Sequence, residues 1–176
     1  MKRLLFLFAI IIAAKSLSAQ FQVGVNGSFE IAVAKTGGVR TYLTGPGLDI
    51  FYILPQEKIV LGLGWQYRWM LAWPNNPTIT SYNASFRLYP FTKKQIRPYL
   101  EMGVGYYTSK EVLTISNEST LTIKQDGIAV KPSLGVTFPN NLIKNTFIDL
   151  STFYQFYSDS HPSGIGVNVA IRYILR

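Results

Sequence analysis

Apolar and small polar residues take turns along most of this chain. In the clearest stretch Ile59, Leu61, Leu63, Trp65, Tyr67, Trp69, Leu71 and Trp73 hold one parity, and Gly62, Gly64, Gln66 and Arg68 the other. A period of two puts successive side chains on opposite faces of a strand. An earlier stretch sets Phe21, Val23, Val25, Phe29 and Ile31 against Gln22, Gly24, Asn26, Ser28 and Glu30. The alternation returns over residues 47–54, 81–88, 100–106, 128–138, 148–156 and 165–175, which makes eight predicted strands. No helical period competes beyond residue 19. Turn chemistry falls after the second, fourth and sixth strands, at Pro55-Gln56-Glu57-Lys58, Pro90 to Arg97 and Pro139-Asn140-Asn141. The other connections are Lys35 to Thr44, Pro74 to Pro77, Thr108 to Asp126 and Ser158 to Ser163. The third is much the longest. Its alternation through Val112, Thr114, Thr120 and Thr122 predicts a hairpin that rises beyond the other strands.

The polar face of each strand carries one ionisable residue. In strand order these are Glu30, Asp49, Arg68, Arg87, Glu101, Lys131, Asp149 and Arg172. Four are acidic and four basic, so this face sums to zero in a chain of net +8. A face in water would carry Lys and Glu at every second position. One charge per strand among Gly, Ser, Asn and Ala describes a confined interior, where each charge needs a partner; Glu101 and Asp149 have basic candidates on adjacent strands, in Arg87 and Arg172. The opposite face is apolar and aromatic. Polar inside and apolar outside predicts an all-β, eight-stranded antiparallel up-and-down transmembrane barrel. The inverted arrangement, a secreted lipocalin-like barrel, would crowd Trp65, Trp69 and Trp73 onto one cavity wall. On a membrane barrel they belong, with Tyr106 and Tyr173, to the aromatic girdle at the bilayer interface.

The first residues give such a barrel a destination. Met1-Lys2-Arg3 is basic, Leu4 to Ala14 is unbroken and apolar, and Ser16-Leu17-Ser18-Ala19 offers small residues for cleavage. This reads as a secretory signal peptide over residues 1–19, too short to span a membrane as a helix. Residues 20–176 then form one domain, bound for the outer membrane of a Gram-negative cell. Removing Lys2, Arg3 and Lys15 leaves 14 basic against 9 acidic residues, a balance of +5. That +5 lies outside the barrel, much of it in Lys93, Lys94, Arg97, Lys144 and Arg176. No basic run interleaved with aromatics suggests nucleic acid. The chain has no cysteine and one histidine, so neither a disulfide framework nor a zinc site is expected. No cofactor is expected either. Aromatic residues make up 14% of the chain, which suits strands and membrane interfaces.

Several motifs point to a family. Ser18-Ala19-Gln20, Arg87-Leu88-Tyr89-Pro90-Phe91, Arg97-Pro98-Tyr99-Leu100 and Gly103-Val104-Gly105-Tyr106 resemble the small outer-membrane β-barrels common in Bacteroidetes, which group with the eight-stranded OmpA and OmpX type. The resemblance implies the same fold. As partners it implies outer-membrane lipid and the outer-membrane assembly machinery. Such proteins usually end on an aromatic residue, whereas this chain ends Tyr173-Ile174-Leu175-Arg176. An eight-stranded barrel is just wide enough to be filled by its own side chains. The lumen should therefore be plugged by Gln66, Arg68, Arg87, Tyr89, Glu101, Tyr107 and Lys131, which disfavours a small-solute channel. The expected role is structural, or adhesion and interaction through the extracellular loops, chiefly residues 108–126 toward a ligand or protein. A hydrolytic alternative rests on His161-Pro162-Ser163, which resembles the His-x-Ser pair of outer-membrane lipid A deacylases, with His161 as base and Ser163 as nucleophile. Pro162 breaks the strand, and no acidic residue in the following strand can orient His161. A non-enzymatic protein is the expectation.

Overall fold

The computed structural model describes residues 20–33, 40–55, 57–71, 77–91, 95–116, 119–158 and 163–175. The proposed signal peptide, Trp73 and His161 lie outside them. Eight strands follow one another: β1 (Gln20–Val33), β2 (Arg40–Ile53), β3 (Ile59–Met70), β4 (Thr78–Leu88), β5 (Arg97–Ser116), β6 (Ser119–Pro139), β7 (Thr146–Tyr157) and β8 (Gly164–Leu175). Each pairs antiparallel with the next, and β8 returns to β1, closing the barrel. Closure removes the sheet edges of the wall, so its backbone N–H and C=O groups can pair between strands without water.

Side-chain parity decides which face is which. On β3, Leu61 and Leu63 face out, and Leu63 is 67% exposed; Val60, Gly62, Gln66 and Arg68 face in and are buried. On β8, Ile165, Val167, Val169, Ile171 and Tyr173 form the outer row, and Gly166, Ala170 and Arg172 the inner. The exterior is therefore a continuous apolar belt, which excludes the inverted, soluble arrangement. The inner face is less polar than the sequence suggests. Phe51, Phe153, Tyr157, Leu43, Val60 and Ile79 are buried inside the barrel. They form two apolar clusters. One, near the short turns, joins Phe51, Val60, Tyr89 and Tyr99. The other, near the long connections, joins Ala32, Leu43, Ile79, Tyr107, Ala129 and Tyr157.

The turns at one end are tight. Leu54 N–H donates to Ile59 O at 3.0 Å, and Glu57, at φ 55°, donates its N–H to Leu54 O at 2.8 Å. The end that holds these turns and both barrel termini is called the turn end here; the other is the loop end. At the loop end β2 begins at Arg40, so part of the expected connection after residue 35 is strand. Residues 108–116 and 119–126 are also strand, paired as a ladder that runs to Ser116↔Ser119.

One glycine has a specific task. A Cβ on Gly45 would collide with the carbonyl oxygen of Tyr67 and the Cα of Arg68. Bare backbone here lets β2 and β3 approach closely beneath the Arg68 side chain.

The outer face predicts its own intolerance. Leu63→Arg or Val169→Arg should block folding into bilayers, at a cost of about 2–4 kcal/mol at the midplane. Gly103→Ala is the matched inward control, because its added methyl meets nothing closer than 3.6 Å. Gly64 is a poorer control, since its Cβ would press on the Asp49 and Asn83 side chains. Heat-modifiable migration after refolding into lipid vesicles measures the difference, and equal folding of all three variants would refute the facing.

Candidate functional site

The lumen concentrates the chemistry. Its charges come from alternate positions of eight strands, and closure brings distant strands face to face. At the turn end, Arg87 on β4 lies in register with Glu101 on β5. Its Nε donates to Glu101 Oε2 at 2.6 Å. Its Nη1 crosses the lumen to Asp149 Oδ2 on β7 at 2.7 Å and also donates to the Tyr89 hydroxyl at 3.1 Å. Thr137 Oγ1 donates to Asp149 Oδ1 at 2.6 Å and lies 2.9 Å from the Tyr89 hydroxyl. Arg172 on β8 pairs with Asp149 as well. One carboxylate thus serves two arginines. The aromatic residues do the remaining solvation. The Arg87 guanidinium lies 3.7 Å from the Tyr99 ring centroid, and that of Arg172 lies 4.1 Å from Phe51.

At the loop end Arg68 on β3 pairs with Glu30 on β1, and both side chains are fully buried. These strands are not neighbours; the contact passes over β2, above Gly45. A Cβ on Gly164 would strike the Glu30 carboxylate, so this second glycine makes room for the acid. Tyr107 and Tyr157 close the site from the other side, with ring centroids 4.8 Å apart.

Between the two ends the lumen is polar and less tightly tied. Asn26 Nδ2 donates to Asp49 Oδ2 at 2.6 Å, and Gln66 Nε2 donates to Ser28 Oγ. Lys131 Nζ lies 5.3 Å from the Phe153 ring centroid. A cavity of about 10 Å³ touches Gln66, Ser81, Asn83, Lys131 and Gln155, room for a single water.

All eight lumen charges point inward, and the two pairings expected across adjacent strands, Arg87 with Glu101 and Asp149 with Arg172, are both present. Glu101 has its arginine on the adjacent strand. Asp149 and Arg172 also meet across adjacent strands, but diagonally, since Asp149 is in register with Ala170. Glu30–Arg68 and Arg87–Asp149 join strands that do not touch. Asp49 and Lys131 make no ion pair within 4 Å among the described residues, which corrects the expectation of a charge partner for each. The sequence reading missed the aromatic seats Phe51 and Phe153. Their parity was the available signal, since both fall on the same rows as Asp49 and Asp149.

The aromatic set does not form one ring. Trp69 is part-exposed near the loop end of β3. Trp65 is half-buried at mid-strand, opposite Leu48 and Tyr82. Tyr106 is exposed and in register with Tyr82. Tyr173 is exposed at the turn end, opposite Val23. Ser163 is half-buried just ahead of β8.

With this geometry in hand, similar structures can be named. The chain matches no family model and no curated protein sequence. Neisserial surface protein A superposes with a TM-score of 0.68 at 16% identity, over 89% of this chain and 98% of that one. A major outer membrane protein of Thermus thermophilus gives 0.71 at 10% identity, over 90% and 100%. Ail, the attachment invasion locus protein of Yersinia pestis, solved with the heparin analogue sucrose octasulfate, gives 0.57 at 15%, over 89% and 97%. The fold is that of the outer-membrane β-barrels. At these identities the likeness is one of fold.

The turn-end network generates a measurable coupling. Arg87→Met would strand Glu101 in a dry site, while Asp149 keeps Arg172, at a cost on the order of 3–5 kcal/mol. Glu101→Met alone should cost less, because Arg87 keeps Asp149. A double-mutant cycle on the two, read by urea unfolding in micelles, should show strong coupling; additivity within about 0.5 kcal/mol would deny that they interact.

Proposed function

We propose that this chain is an integral outer-membrane protein, of the kind its motifs resemble in Bacteroidetes, whose barrel is a sealed scaffold and whose working surface is the β5–β6 hairpin. One observation carries the reading. Pairing of β4 with β5 stops at Thr78↔Lys110, and pairing of β7 with β6 stops at Ala129↔Tyr157. Among the described residues the β5–β6 ladder continues without a further paired strand to Ser116↔Ser119. A two-stranded ribbon therefore stands clear of the wall. It presents Lys110, Lys124, Asp126, Leu121 and Ile123 to solvent. Two-stranded ribbons are marginal alone; this one is anchored by the barrel beneath it. The plugs at Arg68–Glu30 and Arg87–Asp149–Arg172 suit a scaffold better than a pore.

The test is excision. A variant with residues 111–123 replaced by Asn-Gly should keep heat-modifiable migration, since the wall is untouched. Intact cells carrying the wild type should bind one of a panel of extracellular matrix proteins or sulfated glycans, and sucrose octasulfate is the natural first probe because Ail was solved with it. Loss of that binding in the excised variant supports the platform. Binding that survives excision would overturn it.

The same reading assigns no catalysis. Glu101 and Asp149 are engaged by arginines, which leaves no free carboxylate pair for acid–base work in the turn-end network. Lipid mass spectrometry of membranes with and without the expressed protein should show unchanged lipid A. Loss of one acyl chain that depends on Ser163 would replace this reading with a deacylase.

A further inference from the structure

Beyond residue 19 the charges divide by place. The lumen cancels, four against four. In the sequence the stretches 34–40, 110–126 and 158–163 cancel too, with Lys35, Arg40, Lys110 and Lys124 against Glu111, Glu118, Asp126 and Asp159. The stretches 55–58, 90–97 and 140–145, with the last residue, hold Lys58, Lys93, Lys94, Arg97, Lys144 and Arg176 against Glu57 alone, and of these basic residues Lys58, Arg97 and Lys144 are placed at the turn end. The whole balance of +5 therefore belongs to these latter stretches of the sequence.

The turn end is apolar at its tips. In the β6–β7 turn Leu142 is 95% exposed and Ile143 57%, and Ile96 is exposed just before β5. This exposure is built. Asn140 Oδ1 accepts the Leu142 N–H at 3.0 Å, and the Asn140 N–H donates to Thr146 O at 2.9 Å. Asn145, in the left-handed region at φ 61°, offers its carbonyl to the Ile174 N–H at 3.0 Å. The turn is thus tied to β8 while its leucine points away from the protein. Lys144 stands beside it, and Lys58 is exposed in the β2–β3 turn.

We propose that the turn end docks on anionic phospholipid headgroups of the leaflet it faces. Lys58 and Lys144 meet the phosphates, and Leu142 and Ile143 enter the boundary between headgroups and acyl chains. The assignment rests on the membrane reading above. Basic residues beside apolar tips match an anionic bilayer surface on both counts. A soluble acidic polymer would satisfy the lysines and leave Leu142 in water.

The experiment is native mass spectrometry of the full barrel released from nanodiscs of mixed phosphatidylglycerol and phosphatidylcholine. Wild type should retain phosphatidylglycerol above its bulk share. Lys58→Gln with Lys144→Gln should weaken that retention about fivefold per lysine, the equivalent of roughly 1 kcal/mol for each basic residue at an anionic surface. Leu142→Asn with Ile143→Asn should weaken it too. The loop-end pair Lys110→Gln with Lys124→Gln should leave it unchanged. Equal retention of both lipids by the wild type would overturn the proposal, as would a preference lost only in the loop-end variant. Indifference to phosphatidylglycerol, joined to capture of polyglutamate that disappears in the Lys58, Lys144 variant, would reassign the surface to a soluble polyanion. A chain that never enters nanodiscs would overturn the membrane reading and this proposal together; insertion without lipid preference overturns this one alone.

Discussion

A charge enclosed by eight strands has no bulk water to turn to. Its solvation must be supplied by other side chains, and this requirement shapes the interior more than any other. Arg87 shows how completely it is met. Two carboxylates, one hydroxyl and the face of Tyr99 surround a single guanidinium. Six of the eight lumen charges resolve into two ionic clusters. One sits near each mouth, and each is walled by aromatic rings. The middle of the lumen is left to amides, hydroxyls, Asp49 and Lys131. The apolar belt outside follows from the same separation. Once the charges are gathered within, the wall is free to be hydrocarbon.

Most of this architecture is legible in the sequence because its period is two. Alternation assigns a face to nearly every residue, and turn residues mark where the parity restarts. Leu61, Leu63, Val167 and Val169 can be placed outward without coordinates, and Arg68 and Arg172 inward. The limits of such reading are equally physical. Phe51 and Phe153 are apolar, so they look like lipid-facing residues until their parity is trusted over their chemistry. Both are inside because a buried cation needs an aromatic face as much as a carboxylate.

Partner choice is the other illegible part. Adjacent strands share a register that loop positions suggest, and Arg87–Glu101 follows from that rule. Contacts across the lumen depend on strand tilt and barrel diameter, which alternation does not encode. Glu30–Arg68 reaches over an intervening strand only because Gly45 and Gly164 withhold a Cβ. Nothing in the spacing of those four residues announces the contact. The long hairpin was legible as a paired segment for the ordinary reason that its residues alternate.

Asp149 has a consequence for inheritance. Because one carboxylate holds Arg87 and Arg172 at once, no single substitution that removes a charge among the three leaves a balanced interior. Descendants of this chain can drift residue by residue on the lipid side, where one aliphatic side chain replaces another. Inside, they must exchange charges as sets, through intermediates that are each less stable than either end. The record of descent should therefore be smooth on the outer wall and stepped within, with the two arginines and their shared acid retained or replaced as a unit.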